Sequence, residues 1–221
     1  MGARLPVKIM LNKVHFPVTT LGHGRRIGIW FQGCSIGCKG CISKDTWTAG
    51  PSHQTTVQAL LGLCDALAPE DIDGVTISGG EPFEQPEPLS LLLRGLASRR
   101  SRQAPPLDLL VYSGFPLSRL QRRFPEILGQ VDAVISEPFV ATKAPGDRWQ
   151  GSSNQRLTAF SDLGRARYGQ EYEQAGAARI QIGLDDESIW FIGVPGPSDM
   201  EMIEQAARER GLRWEDASWR A

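Results

Sequence analysis

Three cysteines crowd into one short segment and carry the strongest chemical signal in the sequence. Cys34, Cys38 and Cys41 are spaced CxxxCxxC in a segment that also contains Gly37 and Gly40. Three thiolates from one such loop can converge on one face of a single iron-sulfur cluster. Because a cubane cluster has four irons, one iron is then left open to bind a small molecule. A structural zinc site instead takes four protein ligands, usually as two pairs from separate turns.

The remaining candidate ligands lie elsewhere in the chain. Cys64 falls on the apolar stripe of a predicted helix, so we interpret it as a packing residue. None of His15, His23 and His53 lies within the cysteine loop, so no zinc quartet is completed locally. Four cysteines are too few for a disulfide scaffold in a chain of this size, and their crowding indicates a metal centre in a reducing compartment.

A second motif is the glycine-rich turn Ser78–Pro82, with the sequence SGGEP. Two adjacent glycines let a backbone approach a ligand closely, and the carboxylate of Glu81 suits an ammonium group. Such a turn is common by itself. Its position after a predicted strand, one strand-helix unit beyond the cysteines, makes it stronger evidence for a ligand site.

The elements that would position these loops alternate along the chain. Thr55 and Gln58 form a capping box before an amphipathic helix, and Pro125 is expected to shorten or kink a later one. Strands are predicted over 26–33, 73–78, 107–113 and 131–136, and helices over 55–67, 88–100 and 117–128. This order requires right-handed crossovers and a mainly parallel sheet. Ligands of such sheets bind beyond the carboxyl ends of the strands, which here are the segments 34–47, 79–83, 114–115 and 137–140.

The last third of the sequence is less regular. Glycine, serine, asparagine, arginine and proline interrupt every apolar period over 141–176, which predicts a long loop or a poorly regular helix. Two alternating runs, 179–184 and 188–194, predict a β-hairpin. Ser198 and Glu201 then cap a final helix that is expected to end at Gly211.

Composition bounds the class of protein. The chain has 221 residues, 41% hydrophobic and 22% charged, which suits one compact domain or one with a small appendage. Its 24 basic and 25 acidic residues give no charge excess for a broad nucleic-acid surface, so nucleic acid is not supported as a partner. The apolar runs are too short to span a membrane, and residues 1–8 lack the apolar stretch of a signal peptide. We therefore expect a soluble cytoplasmic protein.

CxxxCxxC directly after a first β-strand, followed by SGGEP, resembles the radical S-adenosylmethionine (SAM) superfamily. Across residues 24–160 the chain resembles the activating component of the anaerobic (class III) ribonucleotide reductase more closely. The resemblance rests on CKGC (38–41) with DTW (45–47), VYSGF (111–115), VISEPFV (134–140) and WQGSSNQ (149–155). Gly40 agrees with this family, whereas other radical SAM enzymes commonly have an aromatic residue there. Two features depart from it: Glu137-Pro138 stands in place of an acidic-glycine pair, and residues 161–221 lie beyond the usual short activase.

The resemblance implies an α/β fold, a partial parallel (β/α) barrel of the radical SAM type with a C-terminal β-hairpin and helix. Residues 1–160 would form the radical SAM core and 161–221 an extension packed on it. A 4Fe-4S cluster would be held by Cys34, Cys38 and Cys41, with the amine and carboxylate of SAM on the fourth iron. SAM would be bound by Gly40, Gly79, Gly80, Glu81, Ser113 and Glu137. Ser113 and Glu137 could equally cap helices or bond to backbone, and Glu137 could instead take a ribose hydroxyl.

The implied function is activation of a glycyl-radical enzyme by removal of a glycine hydrogen, with a reductant such as flavodoxin or ferredoxin. Two alternatives stay open: a radical SAM enzyme that modifies a peptide or small molecule, and a non-catalytic iron-sulfur or zinc protein. The GSSNQ loop could clamp SAM, line a substrate channel or fold on itself through side-chain to backbone bonds. The basic residues Arg25, Arg26, Lys143, Arg148 and Arg156 could steer an electron donor or simply be solvated.

Overall fold

A computed structural model describes residues 6–67, 72–100, 106–169, 179–184, 189–217 and 219. Its main sheet has seven strands in the order β3-β1-β2-β4-β5-β6-β7. The strands are β1 (Lys8–Val18), β2 (Arg26–Phe31), β3 (Gln54–Thr56), β4 (Gly74–Gly79), β5 (Asp108–Tyr112), β6 (Ala133–Ser136) and β7 (Arg156–Ala159). β2, β4, β5 and β6 are parallel, whereas β1, β3 and β7 pair antiparallel with their neighbours. The protein is thus a mixed α/β structure with a mostly parallel central sheet.

Helices connect the parallel strands, and a separate ribbon follows them. The helices are α1 (Val57–Leu67), α2 (Pro86–Arg100), α3 (Leu117–Arg123), α4 (Pro125–Leu128), α5 (Asp162–Tyr168) and α6 (Asp199–Glu209). β8 (Ile180–Leu184) and β9 (Ile189–Gly193) pair antiparallel as a two-stranded ribbon, as the alternating runs predict. Within the described part of the chain, no helix combines the length and apolarity needed to cross a membrane.

Four predictions of local structure need correction. The helix expected over 117–128 is two helices separated at Phe124, because Pro125 starts a new one. The side chain that caps α1 is that of Thr56, whose Oγ accepts from the Ala59 N–H at 3.1 Å, and not that of Thr55. β1 was not predicted at all, since two register shifts break its alternation. The irregular segment 141–176 contains β7 and α5, and its residues 170–176 lie outside the described part.

The two faces of the sheet pack against different partners. Alternate side chains such as Ile29, Val75 and Val111 join the helices α1 to α4 in the largest core. Each large aliphatic side chain fully buried there contributes about 1.5–3 kcal/mol. The intervening side chains point to the opposite, inner face, where two smaller clusters form around Trp30 and Leu110.

Residues beyond 160 cover much of this inner face. Tyr168 of α5 packs with Leu110 and with Trp149, whose ring meets it edge-on at 5.3 Å. Ile192 of β9 is buried with Trp30 in the second small cluster. The last part of the chain therefore closes one side of the sheet while helices close the other.

A charged cluster is buried at the amino ends of β2 and β5. Arg26, considered above as a surface residue that could steer an electron donor, is fully buried and forms a bidentate pair with Asp108 at 2.9 and 2.7 Å. Arg167 and the Tyr168 hydroxyl donate to the same carboxylate at 2.5 and 2.7 Å. This placement corrects the surface interpretation, because a guanidinium with no solvent exposure cannot contact another protein.

Candidate active site

The cysteine loop begins at the end of β2, and hydrogen bonds join its two ends. Gly33 turns the chain with φ of +103°, and its N–H donates to the Thr46 carbonyl at 2.8 Å. The Cys34 N–H donates to the Trp47 carbonyl at 3.0 Å, so the two ends of the loop are joined. Inside it, the Cys41 N–H donates to the Cys38 carbonyl at 3.0 Å. These bonds fix a compact loop directly beyond the carboxyl end of β2.

The three loop cysteines differ from Cys64 in their surroundings. Cys34, Cys38 and Cys41 are free, half-buried and line one cavity. Cys64 is 1% exposed on α1, and burial raises the pKa of its thiol to about 11. A thiol of that kind stays protonated and inert. The structure therefore places Cys64 in the core, as the apolar stripe predicts.

The donor set of the loop suits an iron-sulfur cluster. Burial raises the pKa of the Cys34 and Cys38 thiols, and for Cys38 the charges of Cys41 and Cys34 raise it further. Within the described ranges, no three His, Cys, Asp or Glu side chains converge where a single metal ion would bind. A cubane cluster needs a different arrangement of ligands, because each thiolate binds its own iron. Three neighbouring thiols on one cavity wall meet that need.

Gly79 and Gly80 allow two loops to touch. Gly79 has φ of +102°, and a Cβ there would lie 2.4 Å from the Phe31 nitrogen. A Cβ on Gly80 would lie 2.1 Å from the Gly33 carbonyl oxygen. At both positions the backbone at the end of β2 or just after it leaves no room for a Cβ. A substitution at Gly80 consequently tests the packing of the loops before it tests SAM binding.

Glu81 is a buried carboxylate that ties two strand ends together. Its Oε1 accepts from the Phe83 N–H at 3.0 Å and from the Ser113 hydroxyl at 2.9 Å, and its Oε2 accepts from the Gly114 N–H at 2.8 Å. Burial raises the pKa of Glu81 to about 7, although these three donors favour the ionised form. The side chain fixes the loop after β4 against the loop after β5.

Ser113 and Glu137 also make local bonds at the strand ends. The Ser113 hydroxyl accepts from the Phe115 N–H at 3.0 Å in addition to donating to Glu81. Oε1 of Glu137 accepts from the N–H of Leu117, the first residue of α3, at 3.0 Å. Glu137 has φ of +81°, a strained conformation for a residue with a Cβ. Both side chains therefore shape the loops whose surfaces form the cavity.

The GSSNQ loop folds against the segment that follows β6. The Gln155 amide oxygen accepts from the Gly151 N–H at 2.8 Å, and its nitrogen donates to the Glu137 carbonyl at 3.2 Å. The Asn154 amide donates to the Pro138 carbonyl at 2.8 Å, and the buried Ser152 hydroxyl accepts from the Val140 N–H at 3.1 Å. These bonds support the loop after β6, while Gly151 and Gln155 also reach the cavity.

All the site residues singled out from the sequence meet at one cavity of about 680 Å³. They are Cys34, Cys38, Gly40, Cys41, Gly79, Gly80, Glu81, Ser113 and Glu137. The cavity lies beyond the carboxyl ends of β2, β4, β5 and β6, where a parallel sheet binds ligands. Its volume is typical of a site for a small organic molecule.

Other lining residues lie outside the site residues singled out from the sequence. Tyr112 lies below Ser113 on β5, and Ile189–Pro197, Met200 and Trp219 come from the end of the chain. Alternation of apolar residues indicated strands there, but no residue pattern indicated that these strands reach the cysteine loop. Their position depends on tertiary packing alone.

Glu84 is a further residue that the sequence did not single out. It lies in a short 3-10 turn after Glu81, and its carboxylate accepts from both the N–H and the hydroxyl of Ser35, the residue after the first cysteine. The contact joins the cysteine loop to the SGGEP loop. Glu84 therefore restrains the loop that would hold the cluster.

We expect Glu84→Ala to lose iron to a chelator about fivefold faster than the wild type, because loss of these hydrogen bonds costs about 1 kcal/mol. Reconstituted protein incubated anaerobically with a chelator and followed by absorbance would give the rates. Glu87→Ala is the matched control, since Glu87 is an exposed glutamate in the first turn of α2. Equal rates in the two variants would contradict a restraining role for Glu84.

Comparison with known proteins agrees with this geometry. A family described as "4Fe-4S single cluster domain" matches residues 20–158. The anaerobic ribonucleoside-triphosphate reductase-activating protein of Pasteurella multocida (strain Pm70) is 32% identical over 163 residues, which are 68% of this chain and 99% of that protein. The protein of the same name from Vibrio cholerae serotype O1 is 29% identical over 151 residues, 66% of this chain and 96% of that one.

Among solved structures, QueE from Escherichia coli is similar with a TM-score of 0.40 and 20% identity, over 48% of this chain and 52% of QueE. The family match spans more than half of the chain and includes every site residue singled out from the sequence. The relatives are covered over nearly their whole length, and residues 161–221 are largely additional to them. The chain belongs to the 4Fe-4S single cluster domain family and, within it, to the anaerobic ribonucleoside-triphosphate reductase-activating proteins.

Proposed function

We propose that this protein activates an anaerobic ribonucleotide reductase by taking a hydrogen atom from a glycine of that enzyme. The observation that carries the proposal is the meeting of the three loop cysteines with the strand-end loops at one cavity. Membership among reductase-activating proteins supports the same function. The partner is accordingly a glycyl-radical enzyme, a polypeptide rather than a free metabolite.

The cofactors suit the residues present. When bound by Cys34, Cys38 and Cys41, a reduced 4Fe-4S cluster supplies one electron to the sulfonium of SAM, which yields methionine and a 5'-deoxyadenosyl radical. The chemistry that the bound cofactors would supply is removal of one hydrogen atom from a glycine of the partner, which would leave 5'-deoxyadenosine and a glycyl radical. The chain itself binds the cofactors, orients them and excludes water from the cavity.

The proposed SAM site consists of Gly40, Gly79, Gly80, Glu81, Ser113 and Glu137. Its support is that all six line the cavity beside the cysteines. The side chains of Glu81 and Ser113 are occupied by each other and by nearby N–H groups, so they act by fixing the loops. Backbone groups of these loops are then left to recognise the amine of SAM.

The finer architecture is also part of this proposal. We infer that the sheet is a partial (β/α) barrel formed by residues 1–160, and that residues 161–221 are an extension packed on its open side. The burial of Tyr168 and Ile192 against the inner face supports this division. In such a barrel the extension seals the side that the helices leave uncovered.

Two exposed lysines support a docking site for the reductant. Lys39 lies between two cluster cysteines, and Lys143 belongs to a short turn whose Ala141 contacts the Gly40 position. A small electron carrier with an acidic face, such as flavodoxin or ferredoxin, would be attracted to them. Half-buried free thiols and a low-potential electron carrier both suit the reducing cytoplasm.

The test is glycyl-radical formation on the reductase from the same cell. Anaerobically reconstituted protein, SAM, dithionite and the reductase should give a doublet in the electron paramagnetic resonance spectrum, with 5'-deoxyadenosine formed in step. Cys38→Ala should give neither product, because it removes a cluster ligand. Wild-type protein that cleaves SAM but leaves the reductase without a radical would contradict the activase function.

A second candidate is a radical SAM enzyme that modifies a peptide or small molecule. It is favoured by one observation, that residues beyond the family match line the cavity. A small substrate must be shielded from water by the enzyme alone, and an added wall provides that. SAM cleavage without activation of the reductase would favour this candidate.

A further inference from the structure

The cavity has two chemically different sides. One side is made of the cysteine loop and the strand-end loops, with polar groups such as Glu81, Ser113 and Gln155. The other side consists of Ile189–Pro197, Met200 and Trp219, which we call the apolar wall. None of its side chains carries a charge. Both groups of residues line the same cavity of about 680 Å³, so a substrate bound beside the SAM loops shares that space with the apolar wall.

The apolar wall is anchored to the core. The Gln181 amide accepts from the Thr19 N–H at 2.9 Å and donates to the Pro17 carbonyl at 2.7 Å. The buried Thr20 hydroxyl donates to the Ile192 carbonyl at 2.9 Å, and the Ile192 side chain is 4% exposed against Trp30. β8 and β9 are thus both tied to residues 17–20, so the wall is formed before any substrate binds.

Close packing continues behind the wall. Phe191 meets Trp214 and Trp219 edge-on, with ring centroids 5.8 and 5.5 Å apart. The Trp219 indole N–H donates to Glu204 of α6 at 3.0 Å, which positions Trp219 against the helix that carries Met200. Met200 is an adaptable side chain suited to apolar groups of varied shape.

We propose that the apolar wall is a binding subsite for apolar side chains that flank the reacting glycine of the partner polypeptide. This inference rests on the proposed function and names what the partner must present. Lys13 lies beside this side, with its Nζ 5.6 Å from the centroid of the Trp190 ring, but its ammonium is already paired with Asp45 at 2.9 Å. A phosphorylated or nucleotide substrate is therefore disfavoured here, because its buried charge would compete with Asp45 for that ammonium or lie against uncharged groups. A glycine loop with apolar neighbours fits both sides, since its backbone faces the polar loops while its side chains face the wall.

The wall also separates this protein from the relatives it matches. Those proteins are covered to 96% and 99% of their length by a match that spans 66% and 68% of this chain. The family match ends at residue 158, before the first residue of the wall. The subsite is therefore an added determinant of specificity on the shared cavity.

Two methionines on α6 provide a matched pair of variants. Met200 lines the cavity, whereas Met202 on the same helix is 66% exposed and does not. We expect Met200→Lys to weaken binding of the full-length anaerobic reductase from the same cell at least tenfold, measured by calorimetry with cluster-free protein. Met202→Lys should bind like the wild type, and Met200→Leu should retain most of the affinity because it stays apolar. Thermal unfolding of the three variants would show that each is folded.

A second measurement separates a partner subsite from a SAM subsite. With reconstituted protein, Met200→Lys should keep the cluster and bind SAM within about twofold of the wild type, while the yield of glycyl radical falls. A loss of SAM affinity in Met200→Lys, or equal losses of reductase binding in Met200→Lys and Met202→Lys, would overturn the subsite. Unchanged reductase binding in Met200→Lys would overturn it as well.

The outcome for the wild type distinguishes this inference from the function on which it rests. If wild-type protein binds and activates the reductase while Met200→Lys does so equally well, only the subsite is wrong. If the wild type neither binds nor activates the reductase, the activase function is wrong and the assignment of a partner polypeptide to the wall is overturned with it.

Discussion

Replacing Cys38 with alanine is expected to abolish the iron-sulfur cluster, whereas replacing Cys64 with alanine is expected to leave it intact. Each loop thiolate is a direct bond to iron, and Cys34→Ala and Cys41→Ala should behave like Cys38→Ala. Cys64 lies in the core with a thiol pKa raised to about 11 by burial, far from the ligands a cluster needs. Iron and sulfide analysis with Mössbauer spectra of anaerobically reconstituted protein would measure the cluster.

The contrast between the cysteines makes the result specific. All four variants lose one thiol, so nonspecific iron binding would fall by similar amounts in each. A cluster held by the loop falls to near zero in three variants and is unchanged in the fourth. Retention of a full cluster in Cys38→Ala, or its loss in Cys64→Ala alone, would contradict the ligand assignment.

The parallel strands and their loops could be predicted from the sequence because their signals are local. Buried apolar runs, separated by helical periods, indicate strands such as β2 and β4 whatever surrounds them. Strand order then places the loops after them at one edge. The cysteines and the SGGEP turn follow those strands directly, so their meeting at one cavity required no knowledge of side-chain packing.

The reasons for particular residues could not be predicted in the same way. Gly80 is glycine because the Gly33 carbonyl lies against it, a contact between segments that are distant in the chain. The sequence pattern of Glu81 suits a ligand for an amine, but it does not show that the carboxylate also accepts from Ser113 and Gly114. Sequence spacing places a residue near a site, while the atoms that it contacts are decided by tertiary packing.

Charged residues in the core were harder still. Arg26 sits beside Arg25 in the sequence, and a pair of arginines is ordinarily solvated. Its partner Asp108 lies on β5, and Arg167 of α5 donates to the same carboxylate, so no local pattern connects the three residues. The same long-range packing explains why the sequence left open whether residues 189–200 approach the cysteine loop.

Asp108→Asn is expected to destabilise the protein by about 3–5 kcal/mol, the usual cost of removing one partner from a buried ion pair. The Asp108 carboxylate is fully buried and accepts from Arg26, Arg167 and the Tyr168 hydroxyl. An asparagine there leaves two guanidinium groups without their counter-ion and turns an amide NH2 toward other donors. Chemical denaturation of wild type and variant would give the difference in unfolding free energy.

An exposed pair gives the control, and pH gives a second signature. Asp65 is 65% exposed in its pair with Arg99, so Asp65→Asn should cost less than about 1 kcal/mol.

Burial alone would raise the pKa of Asp108, but Arg26 and the hydrogen bonds hold it below its usual value. A lowered carboxyl pKa stabilises the fold above the pKa of the unfolded chain, about 3.9, and the effect is lost as pH falls through the lower folded value. The difference between wild type and Asp108→Asn should therefore persist at neutral pH and shrink only below about pH 4. A cost as small as that of Asp65→Asn at pH 7 would mean that the buried cluster does not stabilise the junction between the sheet and α5.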